Sequence, residues 1–375
     1  KCARALLIGS SALLALPLLR AEIMVKNSWY NLMKKLVIYF GSSKKELYQI
    51  DMWSQLLHEL SKTFAVEIIF RQPMAYYAYE GPFKKHFCLR ASKLESYVLN
   101  HDIAACIYVN NTMLNYHMLK YHHFPQLHIG HGESDKSCSS TFHFNAYSKV
   151  LVAGHAAKER LLKIGINDAN IAVIGRPSTT IDPSPEIDSI RKLAGDRKII
   201  AYTPTWEGGS KETRYSSIDV LGEELIEYYR NQSEYFLVFK PHPLIGKKSK
   251  TPKKALKDIK KTISSSNNIA IFEGDINSLF PIVDGLYTDI SSVVIDYMQY
   301  NKPYVTYVPE WEIEDFEDIQ SVNSSQFGHE YNHLMSSLNT LLQKDVNYAD
   351  VYRFYIENNN LNWVLSQIKA EANIK

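Results

Sequence analysis

The sequence is poor in cysteine and carries almost no net charge. Its 375 residues include four cysteines, at positions 2, 88, 106 and 138, and the formal net charge at pH 7 is +2. The cysteines form no Cys-x-x-Cys pair, and no His/Cys spacing matches a zinc site. We therefore expect reduced thiols, as in a cytoplasmic protein. The near-neutral charge argues against a nucleic-acid partner, so any basic character must be local.

The chain also lacks internal repeats of solenoid length and low-complexity tracts. Hydrophobic residues make up 45% of the sequence and charged residues 22%, a composition typical of a globular protein with well-formed cores. A length of 375 residues favours two domains of ordinary size over one.

From residue 35 onward, strand-like and helix-like stretches alternate. Apolar runs such as 36–40 and 198–203 are typical of strands buried on both faces, and amphipathic stretches such as 217–231 are typical of helices. Residues 71–91 are expected to be irregular, and the chain after residue 330 wholly helical. The pattern predicts an α/β fold with two Rossmann-like domains whose parallel sheets face a central cleft.

Three prolines and several small polar residues make 175–186 the best linker in the chain. It separates the two alternating series and so sets the predicted domain boundaries. We expect an apolar segment at 1–33, an N-terminal Rossmann-like acceptor domain at 34–178, a C-terminal Rossmann-like donor domain at 187–345, and C-terminal helices at 346–375.

Four polar turns directly follow predicted strands, where ligands bind in open parallel sheets. Each turn alone is more often structural than functional, but four at equivalent places across two domains indicate a shared binding site. The turns are His131-Gly132-Glu133-Ser134-Asp135-Lys136, Thr203-Pro204-Thr205-Trp206, Lys240-Pro241-His242-Pro243 and Asp289-Ile290-Ser291-Ser292, with Asp296 one helical turn later.

Three of these turns suit a phosphate group. Lys240 and His242 can supply positive charge and hydrogen-bond donors, and the flanking prolines restrict the orientation of His242. The helix predicted after residue 290 adds the positive end of its dipole. Further hydroxyl and backbone donors come from Thr203, Thr205, Ser291 and Ser292.

The first turn suits proton transfer. His131 lies between Gly130 and Gly132, which allow a close approach, and an imidazole can accept a hydroxyl proton at neutral pH. Structural roles stay open for three of the other residues. Lys240 could pair with Asp289, His242 could cap a helix, and Asp296 could brace the last turn.

Together these motifs resemble the CDP-glycerol glycerophosphotransferase family, the teichoic-acid and capsule polymer enzymes of bacteria. The resemblance implies a GT-B architecture, with the nucleotide bound mainly by the C-terminal domain and the acceptor by the N-terminal one. The matching motifs are His131-Gly132 with Lys136, Gly175-Arg176-Pro177, Tyr202-Thr203-Pro204-Thr205-Trp206, Lys240-Pro241-His242-Pro243 and Thr288-Asp289-Ile290-Ser291-Ser292 with Asp296.

The resemblance also implies a reaction, the transfer of a polyol phosphate from a CDP-activated donor to a hydroxyl of a polymer or lipid-linked primer. It makes His131 the candidate base and His242 the histidine that faces the donor phosphates. A GT-B glycosyltransferase and a non-catalytic GT-B-like module are the alternatives. We assign Thr203, Thr205, Lys240, Asp289, Ser291, Ser292 and Asp296 to the donor side, and Gly132, Glu133, Asp135 and Lys136 to the acceptor side.

The sequence departs from the commonest form of the family in two places. Residues 133–135 are Glu-Ser-Asp where Thr-Pro-Leu is usual, and Glu207 follows Trp206 where an arginine is common. The first departure lies on the acceptor side and the second on the donor side. Both leave open whether glycerol, ribitol, another polyol or a sugar phosphate is transferred.

No cofactor or metal is required by the sequence, although a divalent ion chelated by the donor diphosphate stays open. The expected partners are the nucleotide-activated donor and an anionic polymer or lipid-linked acceptor at the inner face of the membrane. The basic runs 84–93 and 247–261 could meet this acceptor or anionic lipid, and the second run could instead be a solvated helix face.

Residues 5–19 are almost uniformly apolar, but the run is shorter than the ~20 residues of a membrane-spanning helix and contains Pro17. Three interpretations of residues 1–23 stay open: a peripheral anchor, upstream sequence, or a signal peptide. We favour the first two, because a signal peptide would carry the protein away from cytoplasmic nucleotide donors. We therefore expect a cytoplasmic protein, peripheral at the membrane.

Overall fold

A computed structural model describes residues 30–136, 139–176, 185–209, 214–316, 319–358 and 361–373. Most of the apolar N-terminal segment and most of the predicted linker lie outside these ranges. None of the helices within them is long and apolar enough to cross a membrane.

The first sheet has seven strands in the order β3-β2-β1-β4-β5-β6-β7. Its neighbouring pairs β3-β2, β2-β1, β1-β4, β4-β5 and β6-β7 are parallel. The strands are Lys35–Phe40 (β1), Ala65–Phe70 (β2), Lys84–Phe87 (β3), Ile103–Tyr108 (β4), Gln126–His128 (β5), Lys149–Val152 (β6) and Ile171–Val173 (β7).

The second sheet has six strands, all paired in parallel, in the order β10-β9-β8-β11-β12-β13. The strand order reverses between β8 and β11, which is the topological switch point of this sheet. The strands are Lys198–Thr203 (β8), Tyr235–Phe239 (β9), Ile269–Ile271 (β10), Gly285–Asp289 (β11), Tyr304–Tyr307 (β12) and Gln326–Gly328 (β13). The predicted α/β fold with two parallel sheets is confirmed.

Helices alternate with the strands of both sheets. They are Tyr48–Asp51 (α1), Ser54–Leu60 (α2), Pro73–Ala78 (α3), Ala91–Leu99 (α4), Tyr116–Leu119 (α5), His155–Lys163 (α6), Pro185–Ala194 (α7), Gly222–Arg230 (α8), Lys250–Ile263 (α9), Ile276–Leu279 (α10), Ser292–Met298 (α11), Ile313–Phe316 (α12), Gln320–Asn323 (α13), Tyr331–Leu341 (α14), Ala349–Tyr355 (α15) and Leu361–Asn373 (α16).

The core of the second sheet explains why its strands are apolar throughout. Ile200 and Tyr202 of β8 pack into a cluster on one face of the sheet. Ile199 and Ala201, the alternate residues of the same strand, pack into a second cluster on the other face. Because both faces are covered, neither set of alternate positions can be polar.

The chain divides into two compact units. Unit 1 comprises residues 1–130, 147–149 and 361–375, and unit 2 comprises residues 131–146 and 150–360. All four turns predicted to bind ligand, from His131 to Ser292, therefore belong to unit 2.

The prediction that residues 71–91 are irregular is wrong, because they contain α3 and the edge strand β3. The β3 sequence, Lys-Lys-His-Phe, has no apolar run, since the strand lies at the edge of the sheet and is largely half-buried. His86 Nε2 lies 2.6 Å from the fully buried carboxylate of Glu67 on β2, and Lys84 Nζ lies 3.4 Å from it. Polar residues thus occupy β3 because they pair with a buried charge.

The second sheet also differs from the sequence-based expectation. The predicted helix 217–231 begins only at Gly222, because Ser217 lies in a loop and donates its backbone N–H to Asp289 at 3.2 Å. The edge strand β13 was not predicted, since it is only three residues long and its first residue is exposed.

Glu67→Gln should remove a pH dependence of stability. Burial opposes ionisation of Glu67, but hydrogen bonds from His86 and Tyr97 outweigh it and lower its pKa to about 2. Stability from this shift is present above the unfolded pKa of 4.5 and is lost as the pH falls towards 2. Between these values we expect urea titrations to show the wild type losing about 3 kcal/mol more than the variant. The exposed Glu95 supplies the control Glu95→Gln, and equal slopes for all three proteins would contradict the prediction.

Candidate functional site

The candidate residues of unit 2 collect at the carboxyl edge of the second sheet. Thr203 is the last residue of β8, Asp289 is the last residue of β11, and Lys240 directly follows β9. Strands β9, β8 and β11 are consecutive neighbours in the sheet, with the switch point between the last two. Parallel pairing therefore brings three of the four predicted turns to one edge, as expected.

A buried carboxylate connects these turns. Asp289 is fully buried and accepts hydrogen bonds from the backbone N–H groups of Thr205, at 2.6 Å, and Ser217, at 3.2 Å. Burial raises its pKa to about 7, and these hydrogen bonds oppose the rise. Its second oxygen, Oδ1, has no hydrogen-bond partner among the described residues. Asp289 thus braces the turn after β8 and keeps one oxygen available.

The threonines of the β8 turn are held by the protein. Thr203 Oγ1 donates to the carbonyl of Tyr287 at 3.3 Å. Thr205 Oγ1 accepts from Lys136 Nζ at 2.9 Å, and the carbonyl of Thr205 accepts from Ser216 Oγ at 2.7 Å. Both threonine side chains are buried, so in this structure they shape the turn.

The serine turn before α11 carries an unsatisfied hydroxyl. Ser291 is the N-cap of this helix in an extended conformation, but its side chain makes no capping hydrogen bond. Its Oγ atom is buried and has no partner among the described residues. A hydroxyl of this kind can donate to a phosphate oxygen that reaches the turn.

The turn at 131–136 lies against the serine turn. A Cβ atom added to Gly132 would lie 3.2 Å from Ser292 Cβ and 3.4 Å from Ser292 Oγ, so a larger residue would crowd the serine. Lys136 extends from the same turn to Thr205, and its ammonium lies 5.9 Å from the ring centre of Tyr215. The turn at 131–136 therefore contacts the turns that follow β8 and β11 within unit 2.

His242 is held as a neutral hydrogen-bond donor. Its ring stacks on Trp206 at 6.4 Å between centroids and 22° between planes, and its Nδ1 accepts the backbone N–H of Leu244 at 3.1 Å. The proton of the neutral ring therefore lies on Nε2. Burial, with Lys136, Lys240 and His131 nearby, lowers its pKa to about 3. His242 can therefore donate a hydrogen bond from Nε2, as expected, but it does not carry the expected positive charge. Its Nδ1 atom contacts the backbone of its own turn, so His242 does not cap a helix.

Lys240 forms no ion pair with Asp289 among the described residues. The groups that act on its ammonium are Asp275, Glu186 and Glu273, and the ammonium lies 5.8 Å from the ring centre of Phe272. Burial lowers its pKa, and the three carboxylates oppose that effect. The alternative that Lys240 simply pairs with Asp289 is therefore not seen.

Glu133 and Asp135 belong to an ion-pair cluster. Arg160 of α6 contacts both carboxylates, with Asp135 Oδ1 at 2.6 Å, and Asp135 also accepts a hydrogen bond from Ser321. Glu133 is buried, and burial raises its pKa to about 7 although Arg160 opposes the rise. These two acids, assigned from the sequence to the acceptor side, fix the 131–136 turn to α6 in this structure.

Asp296 also has a partner within unit 2. It lies one turn into α11 and pairs with Arg176, which follows Gly175 with its φ of +72°. The structure thus favours the bracing role for Asp296, since its carboxylate is buried against the guanidinium. Arg176 belongs to the Gly-Arg-Pro motif noted in the sequence, although it was not among the predicted site residues.

Glu207 is the clearest residue that the sequence-based site prediction missed. Its buried carboxylate accepts backbone N–H groups of Gly246, Lys248 and Ser249 at 2.9, 2.7 and 3.1 Å. Burial opposes ionisation, but the backbone hydrogen bonds outweigh it and lower the pKa. Glu207 therefore anchors the loop between His242 and α9 to the segment that follows β8. A carboxylate that accepts N–H groups just before a helix can be predicted when it is close in the sequence. Glu207 lies about 40 residues before α9, so no local pattern in the sequence indicates this contact.

Within the described ranges, no three His, Cys, Asp or Glu side chains form a group that could hold a metal ion. Two open cavities, of about 570 and 650 Å³, flank β3 in unit 1. Neither is lined by a predicted site residue.

Sequence comparison identifies a family of transferases. Residues 148–360 match the model of the family CDP-Glycerol:Poly(glycerophosphate) glycerophosphotransferase. The teichoic acid poly(ribitol-phosphate) polymerase of Bacillus spizizenii is 25% identical over 45% of this chain and 27% of its own length. The teichoic acid poly(glycerol phosphate) polymerase of the same organism is 33% identical over 31% of this chain and 28% of its own length. The chain thus matches less than a third of the length of these relatives.

Structure comparison supports the GT-B fold. The wall teichoic acid polymerase TagF superposes with a TM-score of 0.59 and 16% identity, covering 95% of this chain and 96% of that chain. The S. aureus MnaA–UDP co-structure superposes with a TM-score of 0.62 and 14% identity, covering 92% and 98%. At these identities the likeness concerns the fold alone. The expected GT-B class is confirmed.

Glu207→Ala should loosen the loop between His242 and α9. Three backbone N–H groups lose their acceptor, which should cost about 2 kcal/mol of unfolding free energy. Hydrogen exchange should accelerate at Gly246, Lys248 and Ser249, and less so in Glu207→Gln, which keeps one acceptor oxygen. The exposed Glu224 on α8 supplies the control Glu224→Ala. Unchanged protection of the loop in Glu207→Ala would show that this anchor is dispensable.

Proposed function

Because the chain belongs to the CDP-glycerol:poly(glycerophosphate) glycerophosphotransferase family, we propose that it transfers a polyol phosphate from a CDP-activated donor to an acceptor hydroxyl. The acceptor is the growing end of an anionic polymer or a lipid-linked primer. The observation that carries the proposal is the set of groups at the carboxyl edge of the second sheet. There the unsatisfied hydroxyl of Ser291, the Nε2–H of His242 and the ammonium of Lys136 belong to adjoining turns.

The proposed reaction is a displacement at the β-phosphorus of the donor. The acceptor oxygen forms a bond to this phosphorus, the bond to the bridging oxygen breaks, and CMP leaves. His131 takes the proton of the acceptor hydroxyl. Hydrogen-bond donors fixed before the reaction stabilise the charge on the phosphoryl oxygens at little reorganisation cost.

The two histidines then have different roles. With a pKa of about 3, His242 is too weak a base to accept a proton at neutral pH, and its Nδ1 is already occupied by Leu244. Its remaining Nε2–H suits a phosphoryl oxygen, as a donor. The role of general base is therefore assigned to His131, whose residue type can accept a proton near neutral pH.

The proposed substrates also suggest where the protein works. CDP-activated donors are made in the cytoplasm, and a lipid-linked primer presents its hydroxyl at the inner face of the membrane. We assign the protein to this location as a peripheral enzyme.

Replacing either histidine with alanine should abolish transfer and leave the fold intact. His131→Ala loses the proton acceptor and His242→Ala loses a fixed donor, so we expect rate losses of at least about 100-fold in each. His155, exposed on α6 in the same unit, supplies the control His155→Ala. Turnover of labelled CDP-glycerol is the readout, with thermal unfolding as the check on folding. Near-wild-type turnover in either variant would refute the assigned roles.

Product analysis separates this proposal from transfer of a sugar on the same fold. A phosphodiester link in the product supports polyol-phosphate transfer, whereas a glycosidic link formed from a nucleotide sugar would overturn it. Binding of donor with no product of either kind would instead indicate a non-catalytic module.

Ser291→Ala should weaken donor binding without destabilising the protein. Its hydroxyl is buried and unpaired, so its removal breaks no hydrogen bond in the ligand-free fold. We expect affinity for CDP-glycerol to fall roughly tenfold in calorimetry, with the unfolding free energy unchanged or raised. The control is Ser325→Ala, because the buried hydroxyl of Ser325 donates to the carbonyl of Tyr304. This variant should lose unfolding free energy and keep its affinity for CDP-glycerol. Unchanged donor affinity in Ser291→Ala would argue against this turn as the phosphate site.

A further inference from the structure

A dense group of lysines lies directly after the His242 turn. Residues 247–261 contain eight lysines and one aspartate, a local net charge of +7 in a chain whose formal net charge is +2. Lys247 and Lys248 belong to the loop before α9, and the other six belong to the helix. Residues 247–261 therefore form a local concentration of positive charge.

Helix α9 keeps its lysines apart from its core residues. Ala255, Ile259 and Ile263 are buried in the core of the second sheet. With 3.6 residues per turn, the helical lysines fall within an arc of about 120° on the opposite side, and Asp258 lies outside that arc. We call this surface the lysine face; its members are Lys250, Lys253, Lys254, Lys257, Lys260 and Lys261.

The lysine face is largely unpaired. Lys260 contacts Glu273 at 3.2 Å, and this is the one ion pair of the face within the described residues. The other five side chains are exposed. Five ammonium groups held close together repel one another unless an anionic partner offsets their charge.

We propose that the lysine face is a docking surface for the polyphosphodiester chain on which the proposed reaction acts. The inference rests on the proposed function for the identity of that chain. Lys250 and Lys261 are separated by about 17 Å along the helix, since each residue adds 1.5 Å. This row is long enough to contact several successive phosphates, which a single donor molecule does not provide.

Hydrogen bonds and a ring contact connect the lysine face to the site. Glu207 holds the N–H groups of Gly246, Lys248 and Ser249, and the neighbouring Trp206 stacks on His242. Gly246, with φ of +78°, lets the loop fold back on α9, because a Cβ there would lie 2.7 Å from Lys253 Cβ. The lysine face therefore begins at a fixed place beside the predicted donor site.

The surroundings favour a polymer over a lipid bilayer. No large apolar side chain is exposed between residues 247 and 264, all of which are described, and the apolar side of α9 is buried in the core. A helix that lies in a membrane interface inserts its apolar side, which α9 cannot do without unfolding the unit. Flexible lysine side chains suit instead a mobile chain of phosphates, which needs charge without fixed geometry.

Weak contacts of this kind would retain the polymer between transfers. Each exposed lysine–phosphate contact contributes little, but several on one chain raise its effective concentration at the site. The contacts should also weaken as salt is added.

The test compares two triple variants with the same change of charge. One carries Lys254→Gln, Lys257→Gln and Lys261→Gln on the lysine face. The control carries Lys163→Gln, Lys192→Gln and Lys344→Gln, three exposed lysines on or just after other helices of unit 2. The probe is purified poly(glycerol phosphate), long enough to span the face, in a fluorescence anisotropy titration at low salt. We expect the face variant to bind it roughly tenfold more weakly, and the control to bind as the wild type does.

Two results would overturn the inference. One is equal polymer binding by both variants. The other is a face variant that binds the polymer normally but no longer binds vesicles of phosphatidylglycerol and phosphatidylcholine, which would make the face a membrane contact.

A second measurement separates this inference from the proposed function. Calorimetry with CDP-glycerol and transfer to a single glycerol phosphate should be unchanged in the face variant. If the wild type binds the polymer but transfers nothing, the docking surface stands and the proposed reaction fails. If transfer occurs and the face variant binds polymer normally, the docking surface alone fails.

Discussion

The candidate site depends on one buried carboxylate at the end of β11. Asp289 accepts N–H groups from two segments that follow β8, and so it fixes the Thr205 turn and the Ser217 loop to the central part of the sheet. Thr205 in turn receives Lys136, which brings the 131–136 turn to the same place. Without a hydrogen-bond acceptor at this position, the Thr205 turn, the Ser217 loop and the 131–136 turn would no longer be fixed to one residue. The hydrogen bonds that the carboxylate organises offset part of the cost of burying it.

Other acids of unit 2 work on the same principle. Glu133 and Asp135 hold Arg160, Asp296 holds Arg176, and Glu207 holds three backbone amides. Each ties an irregular segment to a helix or to a second loop. Loops cannot be stabilised by a regular ladder of backbone hydrogen bonds, so their positions depend on such specific acceptors. The result is a frame of fixed loops in which the hydroxyl of Ser291 and the Nε2–H of His242 can serve a ligand.

The sequence predicted those features that leave a local pattern. Continuous apolar runs identified the buried strands, because residues covered on both faces have no polar alternative. The edge strand β3 has no such run, and its lysines and histidine become intelligible only beside Glu67, a contact between two strands. For the same reason the sequence predicted which turns carry the candidate residues but not which partners their side chains contact. The proximity of Glu207 to Gly246, or of Arg160 to Glu133, follows from the tertiary fold, and the spacing along the chain does not reveal it.

The unpaired oxygen of Asp289 and the unpaired hydroxyl of Ser291 also bear on how long the protein survives in a cell. A buried polar group without a partner lowers the stability of the folded state, and a ligand that supplies the partner restores it. Proteases act mainly on molecules that have opened, so the rate of degradation follows the fraction without ligand. A ligand that pairs with these two atoms should therefore lengthen the lifetime of the folded protein.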